Sequence, residues 1–122
     1  MNQICSKNEC NEIVLNYSGF KQFATVELYD IILQHIISTI QECLSQMNQV
    51  KVHIHMNSFT LTEFEKHMQF IKRICNILTT SFPDKLETCF IYNPPFFISQ
   101  VYNVLFTFID KKTQQKIKVI TP

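Results

Sequence analysis

Residues 88–109 read Thr88-Cys89-Phe90-Ile91-Tyr92-Asn93-Pro94-Pro95-Phe96-Phe97-Ile98-Ser99-Gln100-Val101-Tyr102-Asn103-Val104-Leu105-Phe106-Thr107-Phe108-Ile109, and this stretch decides the fold. Thr88 to Tyr92 is a strand apolar on both faces, as a strand inside a parallel sheet is. Asn93-Pro94-Pro95 ends it, because proline cannot continue a ladder and restricts the residue before it. From about Pro95 to Ile109 the apolar residues return at helical spacing. Phe97, Val101, Val104, Leu105 and Phe108 form one stripe, and Ile98, Tyr102, Phe106 and Ile109 form an adjoining one. Only Ser99, Gln100, Asn103 and Thr107 give a narrow polar strip. A helix apolar over most of its girth needs cover on both sides, with sheet on one. The other cover is a lipid tail, a membrane, a partner subunit or ordinary core. Asn93, the proline pair, Gln100 and Asn103 argue against a membrane span.

Working outward, Ile117 to Ile120 reads as a final strand. Upstream, Val50, Val52, Ile54 and Met56 alternate with Lys51, His53 and His55, a strand with one apolar and one polar face. Between the two upstream strands, Thr62-Glu63-Phe64-Glu65 reads as a capping box. It opens a helix that turns Phe64, Met68, Ile71, Cys75 and Leu78 inward and stops before Pro83. Thr25 is expected to cap an earlier helix running to about Met47, and Ile13 to Tyr17 alternates as a first strand. Residues 1–11 read as a loose segment, and 12–122 as one domain without linkers or repeats. Strands alternating with helices predict an α/β fold with a mainly parallel, about four-stranded sheet.

Composition narrows the function. The chain has 122 residues, enough for one domain, and its 46% hydrophobic content supports a real core. Net charge is +1, which excludes binding nucleic acid through bulk basic charge, so no nucleic-acid partner is expected. A single glycine, Gly19, excludes a glycine-rich phosphate loop. The five cysteines form no Cys-x-x-Cys pair, and the N-terminus has no apolar segment like a signal peptide. Reduced thiols and a cytoplasmic setting are expected.

From Phe82 onward the chain resembles the CRAL-TRIO domain, the lipid-binding module of phosphatidylinositol-transfer proteins, tocopherol-transfer protein and retinal-binding protein. Three blocks carry the resemblance: Phe82-Pro83-Asp84-Lys85-Leu86, then Ile91-Tyr92-Asn93-Pro94-Pro95-Phe96-Phe97-Ile98, then Phe108-Ile109-Asp110-Lys111-Lys112-Thr113-Gln114-Gln115-Lys116-Ile117. The chain departs from the family at the end of the strand before residue 56. There His55 stands for an aspartate, and nearby Ser58 stands for a glycine. The family's N-terminal helical subdomain and C-terminal part have no counterpart, so a truncated CRAL-TRIO-like domain is expected.

The resemblance implies that the helix Pro95–Ile109 is the family's gate, which covers the bound lipid and opens against a membrane. Phe96, Phe97, Val101, Val104, Leu105 and Phe108 would then form gate or cavity surface. It also implies a headgroup site for members that bind phosphatidylinositol, with Asp84 and Lys116 as the pair and Lys85 in place of the usual arginine. A lysine neutralises phosphate and a carboxylate accepts from inositol hydroxyls. The implied partners are a lipid or other small hydrophobic ligand and, transiently, a membrane surface, which makes the location cytoplasmic or peripheral to a membrane. Relatives attached to small-GTPase regulators bind proteins instead, so a protein partner at the gate helix is the alternative.

Other groupings carry less. His53 and His55 point to one face of a strand, which is half of a zinc site, but no third ligand is evident and no metal or cofactor is expected. Lys111, Lys112, Lys116 and Lys118 concentrate positive charge after the gate-like helix, where they complement its dipole or an anionic leaflet. No nucleophile elbow, metalloprotease motif or compelling carboxylate pair is present, so the chain is not read as an enzyme.

Overall fold

The computed structural model describes residues 1–120; residues 121 and 122, the end of the expected domain, lie outside the described residues. Five strands form one sheet in the order β1 (Cys5–Lys7), β2 (Ile13–Asn16), β3 (Val50–His55), β4 (Leu86–Tyr92) and β5 (Ile117–Ile120). β1 runs antiparallel to β2, and the other three pairings are parallel. The fold is thus α/β with a mostly parallel sheet, and the strand count rises from about four to five.

The extra strand lies in the segment expected to be loose. Cys-Ser-Lys has no pattern that announces a strand. It is ordered by its neighbours: Cys5 pairs with Leu15, Lys7 pairs with Ile13, and the His35 ring nitrogen bonds the Cys5 carbonyl at 2.7 Å. Ile4 and Cys5 are buried as a result.

The helices are α1 (Tyr17–Phe23), α2 (Tyr29–Leu44), α3 (Leu61–Lys66), α4 (Met68–Ser81), α5 (Ile98–Leu105) and α6 (Lys111–Gln114). Each step from β2 to β5 moves one strand along in the same direction. Right-handed crossovers therefore deposit α2, α4 and α5 on one face of the sheet. That face carries Ile13, Val52, Ile54, Cys89, Ile91 and Ile117, which sit opposite one another in register. The other face carries His53, His55, Phe90 and Tyr92. Their rings stack: His53 on Phe90 at 5.2 Å, and His55 on Tyr92 at 4.7 Å. This explains why β4 is apolar on both faces.

Several element boundaries differ from expectation. Thr25 starts a short 3-10 turn, Val26–Leu28, before α2, and its hydroxyl makes no capping bond. The helix-opening cap is Thr60, two residues early, whose hydroxyl accepts the Glu63 N–H at 3.2 Å. The Glu63 carboxylate does not reach back to it and turns instead to His67. The expected single helix breaks at His67, giving α3 and α4. Phe64 and Phe70 explain the break. Six residues apart, they would point about 120° away from each other on a straight helix. Bent at His67, both become buried, in different clusters.

The gate-like helix is shorter than Pro95–Ile109. It starts at Ile98, and tight turns from Phe106 to Phe108 close it, with Phe108 N–H bonding the Leu105 carbonyl at 2.9 Å. Lys111 and Lys112 belong to the separate α6, which follows Asp110 rather than extending the gate.

Candidate functional site

The core is divided. One buried cluster joins β1, β2, the start of β3, α1, α2 and α4, around Ile13, Ile32, Ile36 and Phe70. A second, around Phe64, Phe97 and Val101, lies under α5. Between them runs an apolar cavity of about 300 Å³. Its floor is the helix-bearing face of the sheet, including Val52, Ile54, Cys89 and Ile117. Its walls come from α2 with Ile36 and Ile40, from α4 with Ile71 and Ile74, and from α5 with Val101 and Leu105. The histidines of β3 face away from it, so the floor stays apolar.

The expected gate residues divide into three groups. Val101 and Leu105 line the cavity, and Val101 is almost wholly buried. Phe97 is buried and Val104 half-buried, and both pack in the cluster beneath α5. Phe96 and Phe108 do not line the cavity. Phe96 is 99% exposed, projecting from the loop ahead of α5. Phe108, beyond the end of the helix, is half-buried beneath the Lys72 ammonium, 5.5 Å from its ring centre. A straight fifteen-residue helix would have carried it on the inward stripe. Ending α5 at Leu105 removes it.

A second pocket, of about 260 Å³, adjoins the first and shares Ile40, Val52, Leu78, Leu86, Ile109 and Thr113 with it. Asp84, Lys85 and Lys116 all line this pocket, together with Asp110. The structure therefore brings together the three residues on which the headgroup expectation rests. They occupy the end of the sheet where β4 and β5 begin. Each polar group but Lys85 has a named partner: Lys116 Nζ donates to the Leu86 carbonyl at 2.7 Å, and Asp84 pairs with the exposed Lys112 at 3.0 Å. Asp84 has φ +59°, a left-handed turn that aspartate tolerates better than most residues.

The opposite end of the cavity has polar residues that periodicity did not single out. His67 is 3% exposed and lines the cavity with Tyr17. Its Nδ1 lies 2.6 Å from the Tyr29 hydroxyl, and its Nε2 lies 3.2 Å from Glu63 Oε2. The neutral tautomer with the proton on Nε2 satisfies both partners. Burial holds the imidazole below its usual pKa, against the pull of Glu63. The Tyr17 hydroxyl is also buried. It lies beside the Glu63 carboxylate, which interacts with it directly. Burial, reinforced by that carboxylate, raises its pKa. The inward stripe did anticipate Phe64, Ile71, Cys75 and Leu78, all of which line the cavity. Tyr17 escaped it because α1 itself, a seven-residue helix without a clear stripe, was not anticipated.

All five cysteines are free, and only Cys10 is exposed. Burial pushes Cys5 and Cys75 up to about 11, and Cys89 up to about 12, which leaves them protonated at neutral pH. No single helix among the described residues is long and apolar enough to cross a membrane.

Comparison with known proteins agrees with this architecture. No curated protein matches the sequence. Among solved structures, the "Crystal structure of Sfh5" superimposes with a TM-score of 0.81 at 16% sequence identity, over 95% of this chain and 46% of that one. The chain thus spans less than half the length of that relative, and at this identity the likeness is one of fold. The family model for the CRAL/TRIO domain matches residues 8–122, nearly the whole sequence. With the family model matched along nearly its whole length, the chain belongs to the CRAL/TRIO domain family.

Proposed function

We propose that the chain is a lipid-binding module that holds a lipophilic ligand in the seam beneath α5 and exchanges it at a membrane surface. One observation carries this reading: an apolar cavity of about 300 Å³ is continuous in its lining with a pocket bearing Lys85 and Lys116. Ligand sites of this kind are mostly apolar with a few placed polar groups. The tail would lie on the sheet floor, against Val101 and Leu105, and the headgroup would lie at Asp84, Lys85 and Lys116. Exchange would need no chemistry. Each CH₂ of the tail that the seam covers is spared roughly 0.8 kcal/mol of exposure while the ligand is carried.

For the headgroup we favour a phosphoinositide. Lys116 would trade the Leu86 carbonyl for a phosphate oxygen, a charge-assisted and stronger bond. Asp84 would turn from Lys112 to the ring hydroxyls. A two-tailed lipid is bulkier than this cavity, so its entry requires α5 to swing outward. The exposed Phe96 ring supports membrane contact at that helix. It equally supports a second reading, in which α5 and Phe96 dock a protein.

The test is native mass spectrometry after incubation with phosphatidylcholine vesicles containing phosphatidylinositol. The expected result is one bound lipid per chain, with phosphatidylinositol enriched. Lys116→Ala should lower phosphatidylinositol capture about tenfold, equivalent to about 1.4 kcal/mol, and spare phosphatidylcholine. Val101→Trp, which fills the seam, should abolish capture of both. A lipid-free monomer in every condition would refute the reading, and a co-purifying protein sensitive to Phe96→Asp would favour the second.

A further inference from the structure

The face of the sheet away from the cavity carries four aromatic rings in a row. Phe90, His53, Tyr92 and His55 follow one another at centroid distances of 5.2, 5.7 and 4.7 Å, each ring tilted from the next by no more than 22°. The central two make a chain with Glu12. The Tyr92 hydroxyl lies 2.8 Å from His53 Nδ1, and His53 Nε2 lies 2.8 Å from Glu12 Oε1. Asn8 Nδ2 donates to the same carboxylate oxygen at 3.2 Å. The bond from His53, helped by that from Asn8, holds the Glu12 carboxyl below its usual pKa. An ionised carboxylate only accepts, so it keeps the proton of the neutral ring on Nε2 and leaves Nδ1 to accept from the phenol. A phenol, an imidazole and a carboxylate in this order are a nucleophile, its base and the group that orients the base.

We propose that Tyr92 is an activated nucleophile that accepts an acyl group from activated esters, with His53 as its base and Glu12 as a positioning residue. The Tyr92 oxygen attacks the ester carbonyl carbon as its proton passes to His53 Nδ1. The new C–O bond forms and the bond to the leaving group breaks. The leaving oxygen departs with the electron pair and takes up the proton held by the imidazolium, and nothing is oxidised or reduced. The core contains the same chain once more, in Tyr29, His67 and Glu63, joined at 2.6 and 3.2 Å. There the tyrosine and histidine are 5% and 3% exposed, and a reagent in water does not reach them. On the sheet face the His53 and Glu12 side chains are 18% and 22% exposed and Tyr92 is half-buried, so the same arrangement is open to an ester. Stacking on both sides, by His53 and His55, holds the Tyr92 ring beside its base. This face lies across the sheet from the cavity, so the inference and the lipid reading fail or stand separately.

The test is peptide mapping by mass spectrometry after treating the full chain with 4-nitrophenyl acetate, in a Cys10→Ser background that removes the exposed thiol. Tyr92 is expected to gain one acetyl group about a hundredfold faster than free N-acetyltyrosinamide, the low end of what a positioned general base supplies. Tyr29 should stay unmodified. His53→Gln, which keeps a polar group beside the phenol and cannot take its proton, should bring the rate down to that of the free phenol. Glu12→Gln lets the ring adopt either tautomer and should slow acetylation by about tenfold, with the final stoichiometry unchanged. The ring nitrogen NMR shifts of His53 should report the Nε2–H tautomer with Glu12 and a mixture with Glu12→Gln, a signature that a merely structural carboxylate would not give. Acetylation of Tyr92 no faster than that of N-acetyltyrosinamide, or a rate indifferent to His53→Gln, would overturn the inference and leave lipid capture untouched.

Discussion

Gly19 lies where α1 crosses the N-terminal segment, and a Cβ built there would come within 2.0 Å of the Gln3 carbonyl oxygen. Here the lone glycine of the chain permits a close approach of backbone to backbone. Gly19→Ala should therefore destabilise the fold by about 1–3 kcal/mol, the cost of overpacking, measurable by urea unfolding. Helix propensity alone would predict the opposite sign. The sequence marks Gly19 as unusual and says nothing of what it touches, since Gln3 belongs to a segment with no pattern. Ser58 is more readable: the resemblance implies a glycine at this position, and its φ of +67° is a conformation that glycine adopts without strain. His67 belongs to the illegible group. Its pH effect follows from its lowered pKa. As pH falls below the ordinary imidazole value of 6.5, the unfolded chain takes up a proton that the folded chain refuses. Stability is then fully present above pH 6.5 and is lost as pH falls, at up to about 1.4 kcal/mol per pH unit from this residue. Glu63 and Glu12, whose pKa values are lowered, add losses in the same direction below about 4.5. Urea titrations at pH 7.5 and 5.5 should show the first loss, and an NMR titration of His67 should place its midpoint below 6.5.

Among the elements, β3, β4 and β5 were legible because each has a pattern that only a sheet explains: strict alternation in β3, apolar faces on both sides of β4, a short apolar run in β5. Their register then placed the histidines on the face away from the helices. The short elements were not legible. β1, α1 and α6 have three, seven and four residues and derive their order from contacts outside themselves. α6, for instance, is held by Gln114, whose side chain donates to the Phe106 and Ile109 carbonyls. The length of α5 was overread because apolar residues continue through Phe106 and Phe108 after the helix has ended. Periodicity records which residues seek cover, and the turns that supply it are a separate matter. β1 makes a testable case. Removing residues 1–8 strips the cover from β2 and leaves a parallel sheet with an unpaired hydrophobic edge. The shortened chain should unfold at lower urea and form larger species by size-exclusion chromatography.

For the molecule as a whole, the alternation of strands with helices was legible in the sequence, the family was legible from three blocks, and the same blocks contain Asp84, Lys85 and Lys116, which line the lysine pocket. The cavity itself was not legible. A list of apolar residues describes a filled core and a hollow one equally well, and only the bend at His67 separates the two clusters. The hollow has a further consequence, in the response to hydrostatic pressure. The cavity of about 300 Å³, partly open to solvent, amounts to at most about 180 mL per mole, and unfolding surrenders only the part closed to water. The empty chain should therefore unfold with a volume change toward the larger end of the ordinary range of about −20 to −100 mL/mol. Filling the seam, with a ligand or with Val101→Trp, should shrink that volume change, as tyrosine fluorescence under pressure would report. A protein that carries its cargo in place of part of its core would be compressible when empty and stiff when loaded.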